Sequence, residues 1–177
     1  MKDGLKGMVH NYPKKPINNC YWVIKDNFLA GEYPFDVNET NGRVKINKFL
    51  DFGITRFIDL TEETEGLKHY AHLLPSKTMH KRFPIRDLSI PESKSFTKDI
   101  LDCISRLISE KEIIYVHCWG GVGRTGTIIG CWLAENGYKG NLSLQKLNEI
   151  WQDCPKSKYR QSPETQEQKS YIINWNK

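Results

Sequence analysis

The sequence predicts a single α/β domain in which a central mixed, mostly parallel sheet is flanked by helices. Short apolar runs typical of buried strands alternate with one-sided helical patterns as far as residue 117. Beyond a glycine-rich turn, only helical patterns follow. Strands that alternate with helices are typical of a parallel sheet covered by helices.

Length and composition indicate one globular domain, because 177 residues with 38% hydrophobic and 27% charged residues can bury a core. The net charge of +5 is modest and its Lys and Arg residues are dispersed, so nucleic-acid binding is not expected. No window approaches the roughly 18 apolar residues of a membrane span, and the N-terminus lacks a signal-peptide pattern. We therefore expect a monomeric, cytoplasmic protein that does not associate with a membrane.

The five cysteines do not form a recognisable framework. Their odd number, irregular spacing and lack of a Cys-x-x-Cys pair argue against disulfides and against a zinc site. No metal or cofactor is therefore expected. Four of them are interpreted as small core residues: Cys20, Cys103, Cys131 and Cys154.

The chain begins with residues 1–19, which are rich in Pro, Gly, Asn and Lys and predict an irregular arm. Residues 20–177 are assigned to the domain. Apolar runs at 21–24 and 28–30 flank an Asp-Asn turn signal, which predicts a hairpin ending at Gly31.

The next elements are less regular. Apolar residues between 44 and 52 predict a helix that ends at Gly53, a plausible C-cap. Residues 54–60 predict a buried strand, the acidic residues 62–65 a loop or short helix, and residues 79–85 a further strand.

The clearest helical pattern is a set of apolar residues at offsets 0, 4, 7, 8, 11 and 12: Phe96, Ile100, Cys103, Ile104, Leu107 and Ile108. This helix leads into a strand at 113–117. Later patterns predict helices over 125–136, over 142–151, and from 163 or 164 to 175.

The glycine-rich turn after residue 117 is the candidate functional site. A strand, a loop of closely spaced backbone N–H groups and a helix N-terminus together bind anions. Here a thiol stands at the entrance of the loop, at Cys118, and a guanidinium six residues later, at Arg124.

Two nucleotide-binding interpretations fail. A Walker A loop needs Lys before its Ser/Thr, and Thr127 stands in that place. Residues 121–126 match the G-x-G-x-x-G dinucleotide fingerprint, but a second parallel strand should follow. The pattern over 142–151 is helical instead.

His117-Cys118, five residues, and then Arg124-Thr125 resemble the signature of the cysteine-dependent protein tyrosine phosphatases. The short chain is similar to the dual-specificity branch and its bacterial members. This resemblance implies a dual-specificity-phosphatase-like fold and a Cys118 nucleophile. It also implies that His117 supports the loop and the thiolate, and that Thr125 hydrogen-bonds the sulfur when it leaves. The implied phosphate cup comprises Trp119, Gly120, Gly121, Val122, Gly123 and Arg124.

The chemistry of such a site suits these residue types. A helix N-terminus and a nearby cation favour a thiolate. Arg can grip two phosphate oxygens in a bidentate fork and stabilise charge in the transition state. Glycines allow the tight, partly left-handed path that points backbone N–H groups inward.

A general acid must also protonate the leaving oxygen. The family places an aspartate on a mobile loop upstream, and Asp87 lies 31 residues before Cys118. Glu92 is the reserve candidate. Asp59 lies inside an apolar strand and is a weaker one.

Residues 162–168 resemble the segment in which many relatives carry a water-positioning Gln. Glu164 aligns with that Gln, a departure from the family pattern, while Gln166 and Gln168 lie further on. A plain helix N-terminus with Pro163 in its first turn is an alternative interpretation.

Phosphoinositide phosphatases of the superfamily that this chain resembles often carry basic residues inside the loop. The loop interior here contains no Lys or His, so the resemblance implies a phosphoprotein substrate rather than a phosphoinositide. Phosphotyrosine is the expected substrate. Phosphoserine and phosphothreonine are possible because no insertion resembles a deep phosphotyrosine clamp. The alternatives are a non-catalytic phosphate-recognition module, a phosphatase acting on a phosphoinositide or RNA 5′-phosphate, and a rhodanese-like sulfur transferase.

Overall fold

A computed structural model describes residues 15–176. Its five strands are β1 Cys20–Ile24, β2 Phe28–Gly31, β3 Arg56–Asp59, β4 Met79–Arg82 and β5 Ile114–His117. They form one sheet in the order β1-β2-β5-β3-β4. β1 runs antiparallel to β2, and every other neighbouring pair is parallel. The mixed, mostly parallel sheet predicted from the sequence is confirmed.

The five α-helices are α1 Glu39–Asp51, α2 Lys94–Ser109, α3 Gly123–Glu135, α4 Asn141–Trp151 and α5 Gln166–Ile173. Short 3₁₀ turns occupy Glu63–Glu65, Ala71–Leu73 and Pro155–Lys158. Pairs of strands alternate with single α-helices up to β5, and only helices follow it, in line with the hydrophobic pattern.

Helices cover both faces of the sheet because successive strand residues point to opposite sides. In β5, Ile114 and Val116 pack into the core shared with α2, α3, α4 and α5. Tyr115 packs on the other face against Phe49 of α1, with ring centroids 4.5 Å apart. The parallel strands therefore all end at one edge, where an α/β sheet carries its ligand site.

The predicted hairpin is present as β1 and β2. Asp26 takes the left-handed conformation with φ 62°, and the Asn27 N–H donates to the Ile24 carbonyl at 3.2 Å. This tight turn brings the end of β2 beside β5, so that the Gly31 backbone borders the glycine loop.

Element boundaries differ from the predictions by a few residues, and α1 begins at Glu39, five residues before the predicted apolar face. The helix expected to begin at Pro163 or Glu164 begins at Gln166, because Thr165 is its N-cap and accepts from the Gln168 N–H at 3.2 Å. Pro163 therefore lies outside the first turn. In α1, Val44 is 54% exposed and does not belong to the core.

Most of the arm predicted for residues 1–19 lies outside the described residues. Residues 15–19 contain no helix or strand. Within residues 15–176, no helix has the length and apolar character needed to cross a bilayer.

Candidate active site

Cys118 follows β5 directly and lines a cavity of about 360 Å³ at the carboxyl edge of the sheet. Its side chain is buried, with 3% exposed. The Gly121 N–H donates to its Sγ atom at 3.3 Å. The loop of residues 118–122 therefore wraps around the sulfur before α3 begins. The four other cysteines are buried in the core, as expected.

The left-handed path expected from the loop glycines is required at Gly121, which has φ 72°. A Cβ there would overlap the backbone of Gly31 and Glu32. At Gly120, φ is not positive, and the nearest atom to an added Cβ would be Val122 Cγ2 at 3.7 Å. Only one of these two glycines is sterically irreplaceable.

Arg124 lies in the first turn of α3, with 1% of it exposed. Its Nη1 atom pairs with Glu65 Oε1, and its Nη2 atom lies 3.0 Å from Glu65 Oε2. Nη1 also donates to the Ile85 carbonyl at 3.0 Å. Burial opposes the charge, but the hydrogen bonds with Glu65 raise the pKa of Arg124 above its ordinary value.

The contacts with Glu65 and the Ile85 carbonyl thus orient the guanidinium group of Arg124. Its Nε atom is buried and has no hydrogen-bond partner within residues 15–176. A buried donor without a partner is costly unless a ligand satisfies it. Nε is therefore an unsatisfied donor in the first turn of α3.

Asp87 lies on the loop between β4 and α2 and lines the same cavity as Cys118. Its Oδ1 atom is 3.0 Å from Arg124 Nη2, and its side chain is about half exposed. The structure therefore brings the predicted nucleophile, phosphate-binding residue and acid together. Glu92 is exposed and is not among the residues that line this cavity.

His117 is completely buried beneath the loop. Its Nε2 atom lies 2.6 Å from Tyr70 Oη, and its Nδ1 atom lies 3.4 Å from the Cys118 carbonyl oxygen. Burial lowers the pKa of His117 to about 4, so the ring is neutral at pH 7. A proton on Nδ1 fits both contacts, with Tyr70 donating to Nε2.

Asp59 ends β3 in the same buried layer. It accepts from Thr61 Oγ1 at 2.6 Å and from Arg82 Nη2 at 3.2 Å, and it lies 3.1 Å from His80 Nε2. Burial opposes ionisation, but His117, His80 and Thr61 hold the pKa of Asp59 well below its usual range. Asp59 is an internal charge that supports the strand ends and does not line the cavity.

Thr125 also lies in the first turn of α3. It is fully buried, and its Oγ1 atom has no hydrogen-bond partner within the described part of the chain. Trp119 is 59% exposed and lines the cavity together with Gly120, Val122 and Gly123. Gly121 and Arg124 are behind this surface.

The cavity rim contains charged residues that the loop sequence alone does not reveal. Lys156 donates to the Gly120 carbonyl and to Glu32 Oε2, both at 2.8 Å. Arg160 pairs with Glu164. Each cation thus has a carboxylate partner, although Glu32 is shared between Lys156 and Lys45. The absence of Lys and His from the loop interior did not exclude cations from the site, because these two come from the connection between α4 and α5.

Sequence patterns also missed Glu65, Tyr70 and Leu88. The acidic run at 62–65 was visible, but nothing in it marked Glu65 rather than its neighbours. Tyr70 follows a turn without a regular pattern. Leu88 is 54% exposed beside Asp87, and only the three-dimensional position of that loop places it at the cavity.

The three residues considered for water positioning lie in different environments. Glu164 lines the cavity. Gln166 is exposed at the start of α5, and Gln168 is completely buried and outside the cavity lining.

Within residues 15–176, no group of three or more His, Cys, Asp or Glu side chains is arranged to hold a metal ion.

Residues 17–171 match the family model described as "Swiss Army Knife protein, DSP-PTPase phosphatase domain". The putative tyrosine phosphatase 067L of Invertebrate iridescent virus 3 is 30% identical over 67% of this chain and 47% of its own length. The dual specificity protein phosphatase CDC14B of Mus musculus is 26% identical over 71% of this chain and 26% of its own. The chain thus spans half or less of these relatives.

Solved structures share the fold. Tk-PTP in its active form superposes with a TM-score of 0.66 at 20% identity, over 90% of this chain and 98% of the other. Kinase associated phosphatase superposes with a TM-score of 0.64 at 15% identity, over 82% and 83%. These matches confirm the expected dual-specificity-phosphatase-like α/β fold.

Proposed function

This chain belongs to the dual-specificity-type family of cysteine-dependent protein tyrosine phosphatases, and from that premise we propose that it hydrolyses phosphate monoesters of proteins through a thiophosphate on Cys118. The observation that carries the proposal is that Cys118 and Asp87 line one cavity, and that Asp87 is paired with Arg124 directly behind it. Each supplies one part of phosphoryl transfer: nucleophile, anion clamp and proton donor.

In the first step, Sγ of Cys118 attacks phosphorus as the bond to the ester oxygen breaks. Asp87, in its protonated form, gives its proton to the departing oxygen. Backbone N–H groups of the cup and the Arg124 guanidinium stabilise the charge on the three equatorial oxygens. The partnerless Nε of Arg124 supports this role because it offers a further donor to that charge.

In the second step, water attacks phosphorus and the S–P bond breaks. Asp87, now ionised, takes the proton from that water. The Thr125 hydroxyl donates a hydrogen bond to the leaving sulfur, a role supported by its buried oxygen having no other partner within residues 15–176. Neutral His117 holds the Cys118 carbonyl and thereby the start of the loop. Side chains and backbone N–H groups of the chain fill every role, so the proposed reaction requires no metal or cofactor.

Phosphotyrosine is the substrate we favour. Exposed Trp119 and Leu88 lie at the mouth of the cavity and offer apolar surface to a phenyl ring. The rim cations Lys156 and Arg160 are already paired with carboxylates, which disfavours a substrate carrying several phosphates. A catalytic thiol fits a reducing compartment such as the cytoplasm.

The test is turnover of para-nitrophenyl phosphate in the presence of a chelator, followed by a panel of phosphotyrosine, phosphoserine and phosphothreonine peptides, a phosphoinositide and 5′-triphosphorylated RNA. We expect chelator-resistant turnover and the highest kcat/KM on phosphotyrosine peptides. Binding of phosphopeptides without any turnover would instead identify a recognition module, and turnover of thiosulfate a sulfur transferase.

A further inference from the structure

Gln168 of α5 connects the loop that carries Asp87 to the rest of the site. Its Nε2 atom donates to the Ser89 carbonyl at 3.0 Å. We propose that Gln168 is a positioning residue that holds Asp87 at the correct place for proton transfer. This inference rests on the proposed function, in which Asp87 is the general acid.

The orientation of the Gln168 amide is determined by its other hydrogen bonds. Oε1 accepts from the backbone N–H of Glu164 at 3.1 Å and from that of Thr165 at 3.0 Å. Because both of these partners are donors, the oxygen must face them and the NH₂ group must face Ser89. The side chain is completely buried, so solvent does not compete for these bonds.

The same amide also rests against the phosphate loop. A Cβ added to Gly123 would lie 3.0 Å from Gln168 Nε2 and 3.1 Å from its Oε1. One side chain therefore contacts the first residue of α3, the segment before α5, and the acid loop. These contacts set the position of the acid loop relative to the helix that carries Arg124.

The acid loop needs such a contact after Asp87. Before Asp87, Ile85 is held twice, by its N–H to the Leu60 carbonyl at 3.1 Å and by Arg124 Nη1 at its carbonyl. After Asp87, Leu88 is exposed with φ 58°, and the bond from Gln168 is the first that another element makes to this loop within the described residues. Without it, the ion pair with Arg124 would be the remaining polar contact that another element makes to residues 87–89 within the described part of the chain.

This geometry differs from the water-positioning role that the family resemblance implies for this segment. A residue that orients water must present its amide to the reacting phosphate. The amide of Gln168 is instead bonded to three backbone groups, and the residue does not line the cavity. Its effect on catalysis must therefore pass through the acid loop.

The dependence of the rate on the leaving group tests the proposal. Para-nitrophenolate leaves readily without protonation, whereas the phenolate of phenyl phosphate needs the acid. For Gln168→Met, we expect kcat/KM to fall on both substrates, and the loss on phenyl phosphate to be at least about tenfold larger than the loss on para-nitrophenyl phosphate. This difference is a fraction of the roughly 10²–10⁴-fold rate enhancement that a general acid supplies. Gln168→Glu should show the same larger loss on phenyl phosphate at neutral pH. It keeps an acceptor for the N–H groups of Glu164 and Thr165 but loses the donor to the Ser89 carbonyl.

Thr165→Ala is the matched control, since it removes the cap of α5 but leaves the bond to Ser89. It should lower thermal stability without changing the ratio of the two kcat/KM values. Equal losses on both substrates in the Gln168 variants, or the same altered ratio in Thr165→Ala, would overturn the positioning role. Failure of the wild type to turn over either substrate would instead overturn the proposed function.

Discussion

Arg124 and Asp87 form an ion pair in which Nη2 and Oδ1 are 3.0 Å apart, although they are separated by 37 positions in the chain. The pair joins the helix after the glycine loop to the loop after β4. In the proposed reaction, the phosphate-binding arginine and the acid are therefore already adjacent before the substrate binds.

Asp87→Asn should lower kcat by roughly 10²–10⁴-fold, because the amide cannot donate or accept the proton that the reaction requires. Steady-state kinetics with a phosphotyrosine peptide will measure the loss. Glu92→Gln is the control and should remain near wild type, since Glu92 is exposed and outside the cavity lining. If Glu92→Gln loses activity and Asp87→Asn does not, the acid is wrongly assigned.

Glu65→Gln should lower kcat/KM by about 10- to 100-fold, the cost expected when a charge-assisted hydrogen bond to a functional group is weakened. The reason is that Glu65 contacts both terminal nitrogens of Arg124 and orients the fork. Glu63→Gln offers a matched control on the same 3₁₀ turn, where the side chain is exposed. Equal activity in both variants would show that Glu65 does not orient Arg124.

Gly121→Ala should destabilise the glycine loop, since a positive φ alone costs an L-residue about 1–3 kcal/mol. The added Cβ would also overlap the backbone of Gly31 and Glu32. Gly120→Ala, one position away, should retain most of the activity because its Cβ has space. Thermal melts and kinetics of the two proteins will check this contrast, and equal effects would contradict the loop geometry.

Acid should weaken the fold between about pH 6.5 and 4. Burial lowers the pKa of His117 from 6.5 to about 4, so within this window the unfolded chain binds a proton that the folded protein does not. The free energy of unfolding should therefore decrease as the pH falls, by up to about 3 kcal/mol. The depressed pKa of Asp59 acts with the same sign at lower pH.

Urea unfolding at several pH values will measure this slope. His117→Gln should unfold with a shallower pH dependence in the same window, because it removes the titrating ring. The groups that face His117, which are Tyr70, Tyr33, Tyr115 and Asp59, remain in that variant. An unchanged slope would show that another residue titrates.

Local patterns predicted most of the fold. The apolar spacing from Phe96 to Ile108 predicts the buried face of α2. The turn signal at Asp26 predicts the hairpin of β1 and β2. Boundaries were less predictable, because the start of α5 depends on which side chain caps it. Thr165 takes that role with Gln168 as its partner, and competition among several candidate caps leaves no periodic signal.

The site was predictable where its chemistry lies in one continuous segment, from His117 to Thr125. Contacts between distant segments were not. Glu65, Tyr70 and Lys156 reach the loop from three separate connections, and their residue types are common on protein surfaces. Only packing reveals that each points inward. Asp87 was found because its distance from Cys118 suited the family, while its contact with Arg124 required the fold.

The central claim is that a phosphoryl group passes through Cys118. Acid quenching during turnover of a phosphotyrosine peptide, followed by mass spectrometry of the proteolysed enzyme, tests it most directly. We predict one phosphoryl group on the peptide containing Cys118 in the wild type. We predict none in Cys118→Ser, which should bind the substrate without turning it over. Turnover by Cys118→Ser, or a phosphoryl group on another residue, would contradict this mechanism.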